Sequence, residues 1–264
     1  LHMRKRGQVS MFVILGIVIL IVISLAFFFR SQIADKISQM EIVKSEQARQ
    51  MESDLQSYAS SCLKKTAAEG VQSVLSNGGY YGRQGGTVSY NAFSVPYYLD
   101  DDKEDVPKVT DIAVGLARYI DDNIGACLSA YSQNIQLGEP SSEVKMGSMV
   151  AAEVRQSLVL SSGETSVKVS SYSAEVEFDI SKVYKPTMEF YNEVKNISSV
   201  DFLGQGYMAL EGNYKFYVDE VSERESVFVL FYPSAFGAKN IEWMFAIRYP
   251  EAKEQGINPL ELFA

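Results

Sequence analysis

The chain opens on an unbroken apolar run. Between Val9 and Phe29 only Ser10, Gly16 and Ser24 interrupt the aliphatic and aromatic residues, and no charge occurs. A helix rises about 1.5 Å per residue, so this run spans roughly 31 Å, close to the ~30 Å hydrocarbon thickness of a bilayer. A membrane-spanning helix over 9–29 is therefore expected. From Ile33 the apolar positions recur mostly every three or four residues through Met40, Met51, Leu55, Tyr58, Cys62, Leu63, Ala67, Val71 and Leu75, with Glu, Gln, Lys and Ser between them. That period predicts an amphipathic helix to residue 76, and "SNGGYYG" (76–82) ends it because Asn and Gly tolerate the left-handed conformation.

The texture then changes twice. "GTVSYNAFSVPYYL" (86–99) alternates and is rich in aromatics, which predicts extended chain, and "DDDKEDVP" (100–107) reads as a loop. Val109 to Tyr131 returns to helical spacing. After "LGEPSSE" (137–143) the alternation becomes that of antiparallel strands, with turns expected at Ser162–Gly163 and around Ser171–Ser173. "KPTMEFYNEVKNIS" (185–198) predicts a short helix, and "NYKFYVDEV", "SVFVLFYP" and "IEWMFAIRYP" predict three further strands. The expected fold class is α+β: an N-terminal transmembrane helix continuing into a long amphipathic helix, then an ectodomain with a second helix packed on it and a mostly antiparallel β-sheet.

Charge adds orientation. Arg4, Lys5 and Arg6 precede the apolar run and Arg30 closes it, and basic residues are retained on the cytoplasmic side. The expected layout is a basic cytoplasmic leader (1–8), a transmembrane helix (9–29), a helical stalk and packing helix (30–76) and an extracytoplasmic head (77–264). The chain has 24 basic and 33 acidic residues; four basic and no acidic ones fall in the first 30, so residues 31–264 carry −13. A head of that charge has no electrostatic reason to bind nucleic acid. The expected partners are a lipid bilayer and copies of the chain itself, met through the N-terminal helix.

Outside the cytoplasm the two cysteines, Cys62 and Cys127, are expected to form a disulfide; the alternative is two separate buried thiols. Asn196-Ile197-Ser198 is an N-glycosylation sequon. The only histidine is His2, so Ser-His-Asp, Cys-His and His-based metal chemistry lack their base or ligand. No phosphate-binding loop, nucleophile elbow or dinucleotide glycine pattern occurs, and no cofactor is expected. Acidic pairs such as Glu175 and Glu177 are not in themselves a site. The loop at 100–105 has hard oxygen ligands for Ca²⁺ but lacks EF-hand spacing, and a solvated acidic loop is the alternative. The aromatics Tyr97, Tyr98, Phe228, Phe231, Tyr232, Trp243, Phe245 and Tyr249 read as core and sheet packing.

"RKRGQVSMF" (4–12) resembles the start of archaeal type IV pilin-like proteins with a class III signal peptide: Gly7, Gln8, Val9, Ser10 and Phe12 follow the family outline. The resemblance covers about the first 30 residues. It implies cleavage between Gly7 and Gln8 and an apolar helix that packs with its copies at a filament centre. The acidic residue that the family places before the Phe is absent, since Met11 passes directly to Phe12. The expected function is that of a membrane-anchored cell-surface structural or interaction protein, with a pilin-like filament or surface-assembly subunit as its assembled form, and not an enzyme. The alternative is a non-polymerising, single-span receptor or adhesin-like ectodomain that binds an envelope component or ligand.

Overall fold

A computed structural model describes residues 46–83, 86–91, 93–163, 165–195, 214–236 and 239–250. Its elements are α1 (46–76), β1 (Thr87–Tyr90), β2 (Phe93–Asp100), β3 (Lys103–Glu104), α2 (Val109–Ser129), β4 (Ile135–Leu137), β5 (Ser141–Met146), β6 (Val150–Ser162), β7 (Thr165–Val176), α3 (Ser181–Val194), β8 (Lys215–Ser222), β9 (Glu225–Phe236) and β10 (Lys239–Arg248).

The fold is α+β, with two corrections to the expected class. Among the described residues no helix is long and apolar enough to cross a membrane. The first helix is amphipathic and is described from residue 46, while the span expected at 9–29 lies outside the described residues. Nor is there one mostly antiparallel sheet. A four-stranded sheet is wholly antiparallel, with β6 as its hub between β7 on one side and β4 and β5 on the other. A six-stranded sheet runs β1-β2-β10-β9-β8, with β3 beside β2, and its β2–β10 pair is parallel. That pairing joins segments nearly 150 residues apart, so no hairpin pattern announces it.

α1 buries the stripe that its period predicts: Leu55, Ala59, Cys62, Leu63, Ala67, Val71, Val74 and Leu75 are all buried. Its C-terminus closes with Gly79 N–H donating to Val74 O and Gly78 N–H to Leu75 O, with Gly78 at φ +61°. α2 lies across α1 and against β5, burying Ile112, Leu116, Ile120, Ile124 and Leu128. Its start is fixed by Asp111, whose carboxylate accepts the Lys108 N–H at 2.9 Å. α3 packs on β9 and begins four residues earlier than its sequence suggests. Asp179 accepts from both the N–H and the hydroxyl of Ser181, and Pro186 sits inside the helix rather than at its head. β7 continues through Ser171–Ser173, where a turn was expected, with a register shift against β6 between Val169 and Ser171; these serines are outward positions between buried Val169, Tyr172 and Val176.

β9 and β10 are apolar on both faces, and each face has its own core. Phe228, Leu230 and Tyr232 join Trp243, Phe245 and Ile247 against the helices. The alternate positions Val227 and Val229 join Met244, Ala246, Val88, Val95 and Tyr97 in a second, smaller cluster. The six-stranded sheet curls around this second cluster. The phenol of Tyr90 on β1 stands beside the Asp219 carboxylate on β8, so the two ends of the strand order approach each other.

Candidate functional site

The densest polar chemistry gathers where the acidic segment 100–105 turns between β2 and β3. Asp101 takes φ +54° to make the turn. Of the five carboxylates in the segment, Asp100, Asp101, Glu104 and Asp105 diverge, and each meets a cation from a different part of the chain. Asp100 accepts Arg248 Nη1 at 2.6 Å, from the end of β10. Asp101 pairs with Arg224 of the β8–β9 turn. Glu104 accepts Lys195 Nζ at 2.6 Å, at the C-terminus of α3. Asp105 accepts Arg83 Nη2 at 2.7 Å, from the segment after α1. Neighbouring acids are thus held apart by their partners rather than converging on one ion. Among the described residues no group of three or more His, Cys, Asp or Glu is placed to hold a metal. Each pair is partly exposed and contributes at most about 1 kcal/mol, so the hairpin is tied to four elements by several weak links.

Arg248 is the hub at one end. It lies on the inner face of the curled sheet, two positions from Ala246, with Tyr97 and Glu225 on the neighbouring strands. Its Nε donates to Glu225 Oε1 at 2.8 Å, its Nη2 to the Tyr97 hydroxyl at 3.0 Å, and its guanidinium lies 4.4 Å over the Tyr97 ring. Tyr97 in turn donates to Glu225 at 2.8 Å. Hydrogen bonds from Tyr97 and Arg248 hold the Glu225 carboxyl below its ordinary pKa. Burial first, then the Glu225 carboxylate, pushes the Tyr97 phenol up to about 12. At the Lys195 end, hydrogen bonds from Lys195 and then Tyr191 hold Glu104 below its ordinary value. These groups are mutually satisfied, so this end of the hairpin is a polar plug for the small core.

The Arg83 end is different. Arg83 Nη2 is paired with Asp105 and the guanidinium lies 4.3 Å over the Tyr80 ring. Nη1 is buried and has no hydrogen-bond partner, the one such side-chain atom among the described residues. Beside it a cleft of about 190 Å³ runs between the end of α1 and the β1–β2 hairpin, lined by Ser73, Asn77, Tyr80, Arg83, Thr87 and Ser94 among others.

The residues singled out from sequence divide as follows. Cys62 and Cys127 form a disulfide across α1 and α2, with Cα atoms 5.8 Å apart. Gly7, Gln8 and Asn196 lie outside the described residues. Glu175 and Glu177 are both exposed and flank the buried Val176. Of the aromatics, Tyr97 and Phe231 pack in the small core and the rest in the main core, where Phe245 lies between Tyr98 and Phe228, at 4.7 and 5.2 Å. Arg83, Lys195, Arg224 and Arg248 carried no local signal in the sequence, because each is an isolated cation whose acid lies 22 to 148 positions away. No protein-family model, curated protein or solved structure matches this chain.

Proposed function

We propose that the chain is a cell-surface structural or interaction protein, with the described residues as its extracytoplasmic head. The observation that carries this reading is the Cys62–Cys127 disulfide, which ties the two long helices and is favoured in oxidising compartments. The acidic charge of residues 31–264 and the basic leader Arg4–Arg6 support the same orientation. The uncharged run 9–29 is the part that would meet a lipid bilayer or the same run of another copy, and a filament or surface assembly is the assembled form. The reading assigns no catalytic step.

A second reading, a non-polymerising head that binds a ligand or envelope component, is favoured by the cleft at Arg83. Protease added outside intact cells tests the shared element of both. Degradation of the head, with a disulfide-dependent shift on non-reducing gels, is expected; a head that resists protease until the cells are lysed would overturn both. A mature N-terminus at Gln8 within isolated filaments selects the first reading, and dispersed single copies select the second.

A further inference from the structure

We propose that the cleft between the end of α1 and the β1–β2 hairpin is a subsite for one monosaccharide unit, with Arg83 and Asn77 as its recognition pair. The inference rests on the second reading above, in which the head binds a ligand. The cleft is smaller than the roughly 300–1,000 Å³ of drug-sized sites, so it suits a single small ring. Its polar groups offer both hydrogen-bonding senses. Arg83 Nη1 is an unpaired donor. Ser94 donates to Thr87 Oγ1 at 2.8 Å, which leaves the Thr87 hydroxyl proton as a second donor. The Asn77 side-chain N–H donates to Ser73 O at 2.8 Å, which leaves its Oδ1 as an acceptor.

A ligand that only accepts, such as a carboxylate or phosphate, would suit the donors but leave Asn77 Oδ1 unmatched. The Asp105 carboxylate already neutralises the Arg83 charge that would attract it. A vicinal diol both donates and accepts and carries no charge, which suits a lining that offers donors and an acceptor. Pro96 and the Tyr80 side chain supply the apolar wall that a sugar ring's C–H face requires.

Saturation-transfer NMR on the full chain tests this, with methyl α-glucopyranoside, methyl β-galactopyranoside, acetate and inorganic phosphate as millimolar probes. Transfer to a hexoside is expected, weakened at least about tenfold in Arg83→Gln and in Ser94→Trp. Ser94→Trp fills the cleft from an exposed strand position, and Ser94 itself bonds Thr87, not the Arg83–Asp105 pair. It therefore keeps the test valid if Arg83→Gln unfolds. Transfer to neither hexoside, hexoside transfer indifferent to both variants, or Arg83-dependent binding of acetate or phosphate alone overturns the proposal. None of these results bears on the surface location of the head, which the protease experiment reads separately.

Discussion

Trp243 Nε1 donates to the hydroxyl oxygen of Tyr98 at 2.7 Å, and that hydroxyl donates onward to the Gly78 carbonyl at 2.8 Å. All three residues are buried, and the relay fastens the middle of the six-stranded sheet to the turn that ends α1. Tyr98→Phe keeps the ring that stacks on Phe245 but orphans a buried donor and a buried acceptor. Each orphan costs about 1–3 kcal/mol, so a loss of about 3 kcal/mol is expected in urea unfolding. A loss under about 1 kcal/mol would mean that the relay is not formed.

The disulfide is expected to matter through the unfolded chain. Cys62 and Cys127 are 65 positions apart, and closing a loop of that length stabilises by roughly 4 kcal/mol on chain-entropy arithmetic. The double substitution Cys62→Ser, Cys127→Ser should lower the urea midpoint by a corresponding amount. Reducing agent should destabilise the wild type and leave the double variant unmoved. Equal sensitivity of both to reductant would contradict the pairing.

Glycines of similar sequence context should respond in opposite directions. A Cβ at Gly70 would lie 2.5 Å from Leu116 Cδ1 and 2.6 Å from Tyr119 Cδ1, side chains of α2 packed against α1. A Cβ at Gly125, in α2, would meet nothing within 4 Å. Gly125→Ala should therefore show the plain helix-propensity gain of about 0.5–1 kcal/mol. Gly70→Ala gains the same propensity but must displace two packed side chains, at about 1–3 kcal/mol, and should come out net destabilising. Thermal unfolding of both variants checks the contrast.

What could be read from the sequence was local. The α1 stripe from Leu55 to Leu75, the glycine stop at 78–79 and the Ser162–Gly163 turn follow from period and turn chemistry, and each lies where the pattern puts it. The Cys62–Cys127 pair was legible because only two cysteines exist. The parallel β2–β10 ladder was not, since it depends on pairing across most of the chain. For the same reason the acidic segment 100–105 looked like a solvated loop or a cation site. Its four cations lie in four separate segments, and only the fold brings Arg248 to Asp100 and Arg83 to Asp105. Ser171–Ser173 misled because polarity there marks the outer face of a strand, not a turn.

The two carboxylates held below their ordinary pKa make stability acid-sensitive in a defined window. Glu225 accepts from Tyr97 and Arg248, and Glu104 accepts from Lys195 and Tyr191, so both titrate lower in the folded chain than the roughly 4.3 of an unfolded Glu. The folded state therefore binds fewer protons at these sites than the unfolded state does. Their contribution is fully present above about pH 4.3 and is lost as pH falls through the lower, folded values. Glu225→Gln and Glu104→Gln should each cost about 1 kcal/mol at neutral pH, because the pairs are partly exposed. Both costs should shrink toward zero in strongly acidic buffer, where wild-type Glu is itself protonated. Urea unfolding of wild type and variants across the acid range checks this. A cost for Glu225→Gln that stays constant down to strong acid would show that Arg248 and Tyr97 hold Glu225 by packing, without favouring its ionised form.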